Sequence, residues 1–600
     1  MSSIIVDNPV GMFPRIAQEQ LKPNAATFAM NMRVGDGHMV PYRSPKVVAE
    51  ATSAANASVA GSVNIRSIYR IRDEFRDTWL AWPTDVDVVR GQIANDVHKR
   101  IYYTGDGAPK VTDNTLARPG GANDTPPYPK QSLPLGVPEP TTSLRITSID
   151  LKAHRARVNY IEAENGVAQF RALAPLPFEF ASGDFIIIRE TGHSLGNQAS
   201  FGRVEITGVN EFRIRRDDGT NVNQADLDTV EGGIVFALDE PKQGDTYYAY
   251  SYVSVYGERG PLHLLDVPTT HRFHGTVELR VRASPAIPIH VNRIQIWRTI
   301  NDGDASDSFY LVGEWNIPND LYFRPSYTQS DVDVQVFGSD WVMIDDNRDS
   351  DLVNAEVAGN ILFDPPSPES HSIIALTNGV TAMAVDNIVQ LSVPGLPHAY
   401  PPNWYVPLPE DIVGLSYVGT TIIAITRVDA YLIHAADPAQ AINSVELLYA
   451  GNGGVSKRSI VTVPGYGCLY ASNVGLHLAG LNGVENVTRA FIEAHDWQEM
   501  KPHTLEGEFW ENKYIGWFDQ TAPLPGLIFD FSRADEVGLM WVGERLRGLY
   551  VDPETDELYG MDGRNVMEWD AGEQRLIGQW QSKLFDLDDD AVLRWQKLKP

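Results

Sequence analysis

The sequence predicts a mainly β protein, in which a β-propeller is interrupted by inserted β-sandwich or β-barrel-like domains. The 13 Trp, 24 Tyr and 21 Phe favour strands, and the 49 Gly and 39 Pro supply many turns. Short apolar runs separated by tight polar turns recur at a spacing typical of propeller blades. Because 600 residues exceed one ordinary core, we expect about two to four domains.

Residues 1–64 are expected to form an N-terminal arm and docking segment. Apolar residues such as Met12 and Phe13 stand among many turn residues, which suits docking better than an independent core. One helix is predicted at Asn24–Asn31, because Pro23 precedes it and alanines lie within it.

Residues 65–118 are predicted to form the first propeller blade. Ile65–Ile71 alternates between apolar and polar residues, Thr78–Trp82 is apolar, and Arg100–Thr104 ends at a glycine turn. A Pro-rich linker is predicted at residues 119–140, since prolines punctuate that whole stretch.

Two inserted domains are predicted between this linker and residue 350. Residues 141–244 carry short β runs and form an inserted β-domain. Residues 245–350 are expected to form a fibronectin- or immunoglobulin-like β-sandwich, with Asp245–Val255 as a long aromatic strand. No cysteine pair marks this segment as a true immunoglobulin domain.

Residues 351–600 are predicted to supply the remaining blades and a C-terminal strand. The pattern is clearest in Val455–Trp517, where short apolar runs alternate with turns. The predicted strand sets are Ser372–Leu391, Ile412–Ile433, Ser459–Ala479, Leu505–Asp530 and Leu546–Trp569. Gln579–Phe585 resembles the first strand of a further blade, which either an N-terminal strand completes or a longer chain continues.

The acidic net charge argues against a protein that binds nucleic acid through its phosphates. Asp and Glu number 78 against 49 Lys and Arg, a net charge of −29. A phosphate-binding protein needs a basic face, although this balance does not exclude a local basic patch. Neither a run of roughly 20 apolar residues nor a basic region followed by an apolar one is present, so no membrane segment or secretory signal is expected.

Motifs for catalysis are weak. Ser456–Ser459 lacks the spacing of a Ser-x-x-Lys pair, and no Lys-Ser/Thr follows the glycines of Gly451–Gly454 to form a phosphate loop. His477 lies in a predicted strand and is expected to be structural. Asp85 and Asp87, near Trp79 and Trp82, suggest at most a glycosidase carboxylate pair of unknown separation.

Metal and thiol chemistry receive little support as well. The acidic run Asp586–Asp590 lacks the spaced oxygens and the glycine of an EF-hand, so a solvated tail is the favoured interpretation. The single cysteine, Cys468, is expected to be a buried small hydrophobe, and no intrachain disulfide can form. We therefore predict no enzyme activity and no catalytic, cofactor-binding or metal-binding residues.

An ordered set of motifs covers most of the chain. Its members are Pro14–Arg15, Leu21–Asn31, Gly37–Arg43, Ile101–Asp113, Leu133–Pro140, Tyr252–Pro261, Val455–Leu478 and Asp496–Trp497. In this order the motifs resemble the tail nozzle or tail tube protein, a structural protein of short-tailed bacteriophages.

The resemblance implies a virion protein of the viral tail, assembled in the host bacterial cytoplasm. Such proteins are similar to a β-propeller with inserted β-domains. Six copies form a hexameric ring below the portal and adaptor, which also serves as a platform for tail fibres, spikes or a needle. Genomic DNA is ejected through the central channel without sequence-specific binding. The family supplies no catalytic residues and no cofactors.

Two other classes of protein remain open from the sequence. A receptor- or carbohydrate-binding tail protein would also be rich in strands and aromatic residues, but would need exposed Trp and paired carboxylates. A non-viral β-propeller scaffold is the third class. A six-fold ring would favour the nozzle, whereas a trimer would favour a spike.

Overall fold

The protein is described by a computed structural model of its chain. The described residues are 6, 8–35, 38–51, 65–72, 77–92, 96–120, 124–141, 144–151, 154–161, 169–172, 185–190, 200–208, 211–215, 220, 233–238, 243–265, 269–272, 275–282, 287–300, 308–317, 335–337, 340–345, 347, 352, 354–358, 363–531 and 538–585. They form a mainly β structure built of many small antiparallel sheets. The chain divides into two compact units, and unit 1, Met1–Gly136 with Pro365–Pro600, is interrupted in sequence by unit 2, Val137–Asp364.

The N-terminal part of unit 1 contains ten strands and one short helix among its described residues. In chain order they are β1 (Ala26–Met30), β2 (Met32–Gly35), β3 (His38–Pro41), β4 (Lys46–Glu50), β5 (Ser67–Arg72), β6 (Asp77–Trp82), β7 (Asp87–Arg90), β8 (Ile101–Thr104), β9 (Lys110–Thr112), α1 (Asn114–Ala117) and β10 (Leu133–Pro134).

The strands of unit 2 are β11 (Arg145–Leu151), β12 (His154–Ile161), β13 (Gln169–Ala172), β14 (Phe185–Glu190), β15 (Ser200–Gly208), β16 (Glu211–Arg215), β17 (Gly233–Leu238), β18 (Gln243–Thr246), β19 (Tyr248–Ser254), β20 (His263–Leu264), β21 (Thr269–Arg272), β22 (Gly275–Arg282), β23 (Val291–Arg298), β24 (Tyr310–Asn316), β25 (Gln335–Phe337) and β26 (Asp340–Asp345).

The C-terminal part of unit 1 begins with β27 (His371–Ala375), β28 (Thr381–Val385), β29 (Ile388–Leu391), β30 (Tyr405–Pro407), β31 (Ile412–Val418), β32 (Thr421–Thr426), β33 (Ala430–His434), β34 (Val445–Tyr449), β35 (Val461–Val463), β36 (Gly467–Ser472), β37 (Gly475–Gly480) and β38 (Gly483–Asn486). It continues with α2 (Ala494–Glu499), β39 (Glu506–Trp510), β40 (Lys513–Trp517), β41 (Gly526–Asp530), β42 (Gly538–Val542), β43 (Arg547–Val551), β44 (Leu558–Asp562), β45 (Asn565–Glu568) and β46 (Gln579–Ser582). Short 3-10 helices occupy Pro438–Asn443, Lys457–Ser459 and Pro502–Thr504.

Five sheets of unit 1 contain the five strand sets predicted after residue 365. The orders are β27-β28-β29-β30, β31-β32-β33-β34, β35-β36-β37-β38, β39-β40-β41-β42-β1-β46 and β4-β45-β44-β43. The predicted strand sets are therefore confirmed, since each falls in a separate sheet. Local alternation and turn residues identified them because consecutive strands pair as hairpins.

Four apolar cores join sheets of unit 1 to one another. One core joins the β27–β30 and β31–β34 sheets, and a second joins β32 and β33 to β36 and β37. The largest core joins the β35–β38 sheet to the sheets that contain β39–β42 and β43–β44. A further core joins β5 and β6 to β7 and β8 on one side and to β43–β45 on the other.

The predicted first blade is divided between two sheets, which corrects the prediction for residues 65–118. Strands β5 and β6 pair only with each other among the described strands, whereas β7, β8, β9 and β10 form a separate four-stranded sheet. Pro83 follows Trp82 directly and interrupts the strand pattern between the two sheets. The predicted linker also contributes structure, because β10 lies within residues 119–140 and pairs with β9.

The helix predicted at Asn24–Asn31 is wrong, because Ala26–Met30 is strand β1. This strand lies between β42, to which it is parallel, and β46, to which it is antiparallel. Ala26 and Ala29 are fully buried there. Alanine's helix propensity is therefore overridden by tertiary packing, where a small side chain fits between closely packed strands.

The N-terminal segment contributes to the core of unit 1 and is not a separate arm. Its strand β4 pairs with β45 and completes a four-stranded sheet. Asn31, with φ +55°, donates from its amide to the carbonyl of Ile577 at 3.1 Å and accepts from the backbone N–H of Gly543 at 2.7 Å. Strand β46 pairs with the N-terminal strand β1 at the edge of the β39–β42 sheet, which agrees with the alternative that an N-terminal strand is its partner.

Unit 2 contains a closed six-stranded barrel with the order β12-β13-β16-β15-β14-β17. Two four-stranded sheets, β20-β19-β23-β24 and β11-β22-β26-β25, bury a shared core that includes Tyr250, Leu279 and Ile296. Strand β11 lies in the segment predicted as the first inserted domain, yet it pairs with β22 of the second. The barrel is thus inserted within the chain that forms the two sheets.

Candidate functional site

A cavity of about 550 Å³ lies where seven sheets of unit 1 approach one another. It is lined by one strand from each sheet, namely β5, β7, β27, β31, β35, β39 and β43. Each is an edge strand of its sheet, and each precedes its hydrogen-bonded partner in the sequence. A second cavity of about 590 Å³ shares Asp87, Lys457, Arg458, Ile460, Thr462, Glu508 and Val551 with the first.

A cluster of charged side chains lies along these cavities. Lys457 Nζ is 2.5 Å from Asp87 Oδ2 and 3.6 Å from Asp85 Oδ1, and Arg458 Nε is 2.6 Å from Asp85 Oδ1. Arg458 also donates to the hydroxyl of Ser67 and to the backbone carbonyl of Arg66. The 3-10 helix before β35 is thereby tied to the sheets that contain β5 and β7.

Two carboxyl groups of β39 lie near this cluster. Glu506 accepts a hydrogen bond from the backbone N–H of Gly548 at 2.9 Å, and burial raises its pKa. Burial raises the pKa of Glu508 to about 7, against the opposing influence of the Arg458 charge and of a hydrogen bond from the backbone of Phe509. A water-poor environment favours the neutral carboxylic acid, because the charged form loses hydration.

The cluster can hold charge but shows no nucleophile and base arranged for covalent catalysis. The hydroxyl of Ser456 donates to the carbonyl of Leu505 at 2.7 Å, and that of Ser459 donates to the carbonyl of Ser456 at 2.7 Å. Both hydroxyls therefore bind backbone, which stabilises the turn before β35. Nothing in the sequence indicated that Lys457 and Arg458 line a cavity.

Asp87 lines the cavity, Asp85 lies next to it, and both carboxylates form ion pairs with basic side chains. Neither carboxylate is arranged with Trp79 and Trp82 around an open groove. Trp82 is buried against Tyr103, and Trp79 packs against Tyr559 with ring centroids 4.9 Å apart. The structure therefore gives these two aspartates a role in ion pairs, which the sequence hypothesis of a glycosidase pair had missed.

The glycines of Gly451–Gly454 pack closely against backbone. A Cβ at Gly453 would lie 2.3 Å from the carbonyl carbon of Arg427, and the N–H of Gly454 donates to the carbonyl of Thr426 at 2.9 Å. Only a residue without a side chain fits at position 453. The loop interpretation is supported by this close approach.

His477 and Cys468 are both buried in the β35–β38 sheet. His477 stacks on Tyr470 at 5.4 Å, its Nδ1 lies 3.3 Å from the carbonyl oxygen of Gly475, and burial lowers its pKa. Burial raises the pKa of the Cys468 thiol to about 12, so it stays protonated at neutral pH. The prediction that Cys468 is a buried hydrophobe is confirmed, and the contacts of His477 are those of a structural residue.

Metal binding has no candidate within the described part of the chain, where no group of three or more His, Cys, Asp or Glu could hold an ion. Asp586–Asp590 lies outside the described residues. None of the described helices has the length and apolar character needed to span a bilayer.

The residue that sequence reasoning missed most clearly is Glu508. It stands in a predicted strand between Gly507 and Phe509, and nothing in its neighbourhood along the chain marks it. Lys457 and Arg458 lie some 370 positions from their partners Asp85 and Asp87, which a single sequence cannot pair. The only available signal was the presence of two complementary charged pairs, DVD and KR, in blade-like regions.

Comparison with known proteins identifies no family. No protein-family model and no curated protein matches the chain. Among solved structures, apo AztD from Citrobacter koseri is 10% identical with a TM-score of 0.26, over 58% of this chain and 85% of that one. The designed Ika8 protein is 8% identical with a TM-score of 0.23, over 70% and 98%. Sqt1 from Saccharomyces cerevisiae is 8% identical with a TM-score of 0.23, over 85% and 99%. TM-scores this low carry no inference for this chain.

Proposed function

We propose that unit 1 is a β-propeller of seven sheets, with unit 2 inserted after the second. The sheets that contain β5 and β7 come first, and those that contain β27, β31, β35, β39 and β43 follow residue 364. Two features support the proposal. An edge strand of every sheet lines one cavity. Shared apolar cores connect the sheets in series from that of β27 through those of β31, β35, β39, β43 and β5 to that of β7. The N-terminal strand β4 closes the ring by completing the sheet of β43, β44 and β45.

We further propose that the protein is the tail nozzle of a short-tailed bacteriophage, a structural virion protein that forms a ring, expected to be hexameric. The observation that carries this proposal is the interrupted architecture: sheets around one cavity, divided in sequence by a barrel and two packed sheets between Val137 and Asp364. This is the organisation that the ordered motifs from Pro14 to Trp497 imply. The portal and adaptor, and tail fibres, spikes or a needle, are the proposed partners.

The proposed DNA channel must lie between copies of the chain. A sphere of 550 Å³ is only about 10 Å across, whereas the major groove of B-DNA alone is about 12 Å wide. Ion pairs of Lys457 and Arg458 also occupy the cavity within unit 1. A duplex therefore does not pass through unit 1, and the conduit is an axial space enclosed by several subunits.

Native mass spectrometry and negative-stain imaging of the purified chain, alone and with its portal–adaptor complex, test this function. A six-fold ring that docks below the adaptor is the expected result. A trimer would favour a receptor- or carbohydrate-binding spike. A monomer that does not assemble on the adaptor would contradict the nozzle and favour a propeller scaffold of another kind.

A further inference from the structure

One carboxyl group on the wall of the cavity of unit 1 has no ion-pair partner among the described residues, whereas the basic residues there do. Each basic residue that lines it has a carboxylate within hydrogen-bonding distance: Lys457 with Asp87 at 2.5 Å, Arg458 with Asp85 at 2.6 Å, and Arg90 with Glu554 at 2.9 Å. Glu508 also lines both cavities. Among the described residues, no nitrogen of Lys, Arg or His lies within the ion-pairing distance of 4.0 Å from its carboxyl group.

A partly buried carboxyl without a cationic partner is costly when ionised, and a cation brought beside it relieves that cost. The surroundings suit a cation in a second respect, because aromatic residues are among those that line the cavities, Tyr417 in the first and Phe509 in the second. Aromatic faces attract ammonium and guanidinium groups through the ring quadrupole. Charge and aromatic surface thus point to the same class of ligand.

The volume indicates an organic ligand. At about 550 Å³, the cavity falls within the range of about 300–1,000 Å³ that is usual for small-molecule sites. A bare metal ion would need several ligating side chains, and within the described residues no such group exists. A compact organic cation fits within this space and can place its charge beside one carboxylate.

We propose that this cavity binds the ammonium or guanidinium group of an organic cation, with Glu508 as its anionic partner. The paired residues Asp87, Lys457 and Arg458 form the polar wall beside it, and their own ion pairs stay intact. Two sources share this chemistry, a free small amine and the Lys or Arg side chain of a partner protein. The proposal does not depend on the nozzle function or on closure of the propeller.

Calorimetric titration of the full chain at pH 8 tests the site with three probes. Agmatine represents a free organic cation, Nα-acetyl-arginine amide represents a side chain, and Nα-acetyl-citrulline amide is its neutral isostere. We expect at least one of the two cations to bind, and the citrulline compound to bind at least about tenfold more weakly than the arginine compound if the latter binds. If agmatine alone binds, the natural ligand is a free small cation. If the arginine compound binds, the natural ligand is a side chain of a partner protein.

Glu508→Gln removes the negative charge of the side chain with little change of shape. It should lower the affinity for the cation that binds wild type at least about tenfold. Glu485→Gln, on the exposed edge strand β38 and away from both cavities, is the matched control and should bind like wild type. Circular dichroism establishes that each variant is folded. The comparison of the citrulline and arginine compounds uses wild-type protein only, so it does not depend on the folding of a variant. Failure of both cations to bind folded wild type, or equal binding by folded Glu508→Gln, would overturn the proposal whatever the oligomeric state.

Discussion

At the scale of single residues, burial determines what each polar or aromatic group can do. Trp510 and Trp517 flank a two-residue turn at Glu511 and Asn512, both with positive φ, which is typical of a tight hairpin. The expectation that both tryptophans lie in a core is confirmed, since they are 7% and 1% exposed. Lys513 belongs to strand β40 and not to the turn, because it pairs with Trp510.

Trp517→Ala should destabilise unit 1 strongly. The ring packs edge to face on Trp569 at 5.3 Å, and its Nε1 donates to the carbonyl of Glu544 at 2.7 Å. Truncation leaves a cavity and an unsatisfied carbonyl, and a loss of about 3–5 kcal/mol is typical for such a change. Thermal or denaturant unfolding measures it, with Tyr466→Ala, whose side chain is 72% exposed, as the control. Equal unfolding midpoints for both variants would contradict the packing described.

Glu508 should make stability depend on pH. Its pKa is about 7 in the folded state and about 4.5 when unfolded, so the folded state holds more protons between these values. The free energy of unfolding should therefore fall as pH rises from about 4.5 to 7. Glu508→Gln should remove the part of this decrease that comes from ionisation of Glu508. The charged neighbours that also act on this region are Asp85, Asp87, Lys457, Arg458 and Glu506.

Unfolding midpoints of wild type and Glu508→Gln at several pH values isolate this contribution, because the neighbouring groups are common to both. The variant should gain stability relative to wild type as pH rises. Glu485→Gln should follow the wild-type curve. Parallel curves for Glu508→Gln and wild type would show that the fold does not perturb this carboxyl.

At the scale of strands and sheets, the N-terminal segment is the element whose role changed most. Strand β1 lies inside a six-stranded sheet and β4 completes another. Met12 and Tyr42 contribute to the largest core, and the ring of Tyr42 lies 5.7 Å from that of Trp569. A chain segment with such contacts belongs to the folding unit, whatever surface it also presents to a partner.

Deletion of residues 8–51 should therefore disrupt unit 1 and not merely assembly. The deletion removes the only strand that pairs with β46 among the described residues, and it removes one of the two neighbours of β42 and of β45. It also exposes the apolar side chains that pack on β1. Loss of a cooperative unfolding transition and increased binding of a hydrophobic dye are expected. Glu19→Ala, at an exposed position of the same segment, should unfold and bind the dye like wild type. A deleted chain that unfolds as cooperatively as wild type would restore the interpretation of a separate docking arm.

At the scale of the whole molecule, charge shapes the proposed DNA conduit. The chain carries a net charge of −29, so the proposed ring of several copies would surround its passage with a large negative charge. DNA presents about one negative charge per 1.7 Å of axis, and a continuous basic wall would hold it by counterion release. At physiological salt the repulsion acts over roughly 8–10 Å, comparable with the gap in a close-fitting tube.

We expect the inner wall of the assembled ring to be predominantly acidic or neutral, with only isolated rings of Lys or Arg. Fluorescence anisotropy with a short duplex at moderate salt should therefore detect only weak binding by the isolated ring, because the wall offers few phosphate contacts. The electrostatic potential calculated for an assembled ring gives a second measure. Sub-micromolar nonspecific binding, or a mostly positive wall, would favour a protein that holds the end of the genome.

Local patterning was enough to find the five strand sets of unit 1 that follow residue 365. Turn residues and apolar runs act within a few positions of each other, so strand sets such as Ser459–Ala479 could be located from the sequence. Composition likewise predicted the mainly β fold, and the apolar run around Cys468 predicted its burial. These features depend on neighbours along the chain, which a sequence displays directly.

Tertiary structure alone decided which distant segments meet. Ala26–Met30 is locally suited to a helix, yet it becomes a strand because β42 and β46 offer hydrogen-bonding edges more than 500 positions away. Nothing within the DVD and KR sequences pairs Asp87 with Lys457, and nothing around Glu508 shows that its carboxyl lies beside a cavity without a cation. Such sites arise from the assembly of several sheets around one space, where burial and charge are set by residues from all of them.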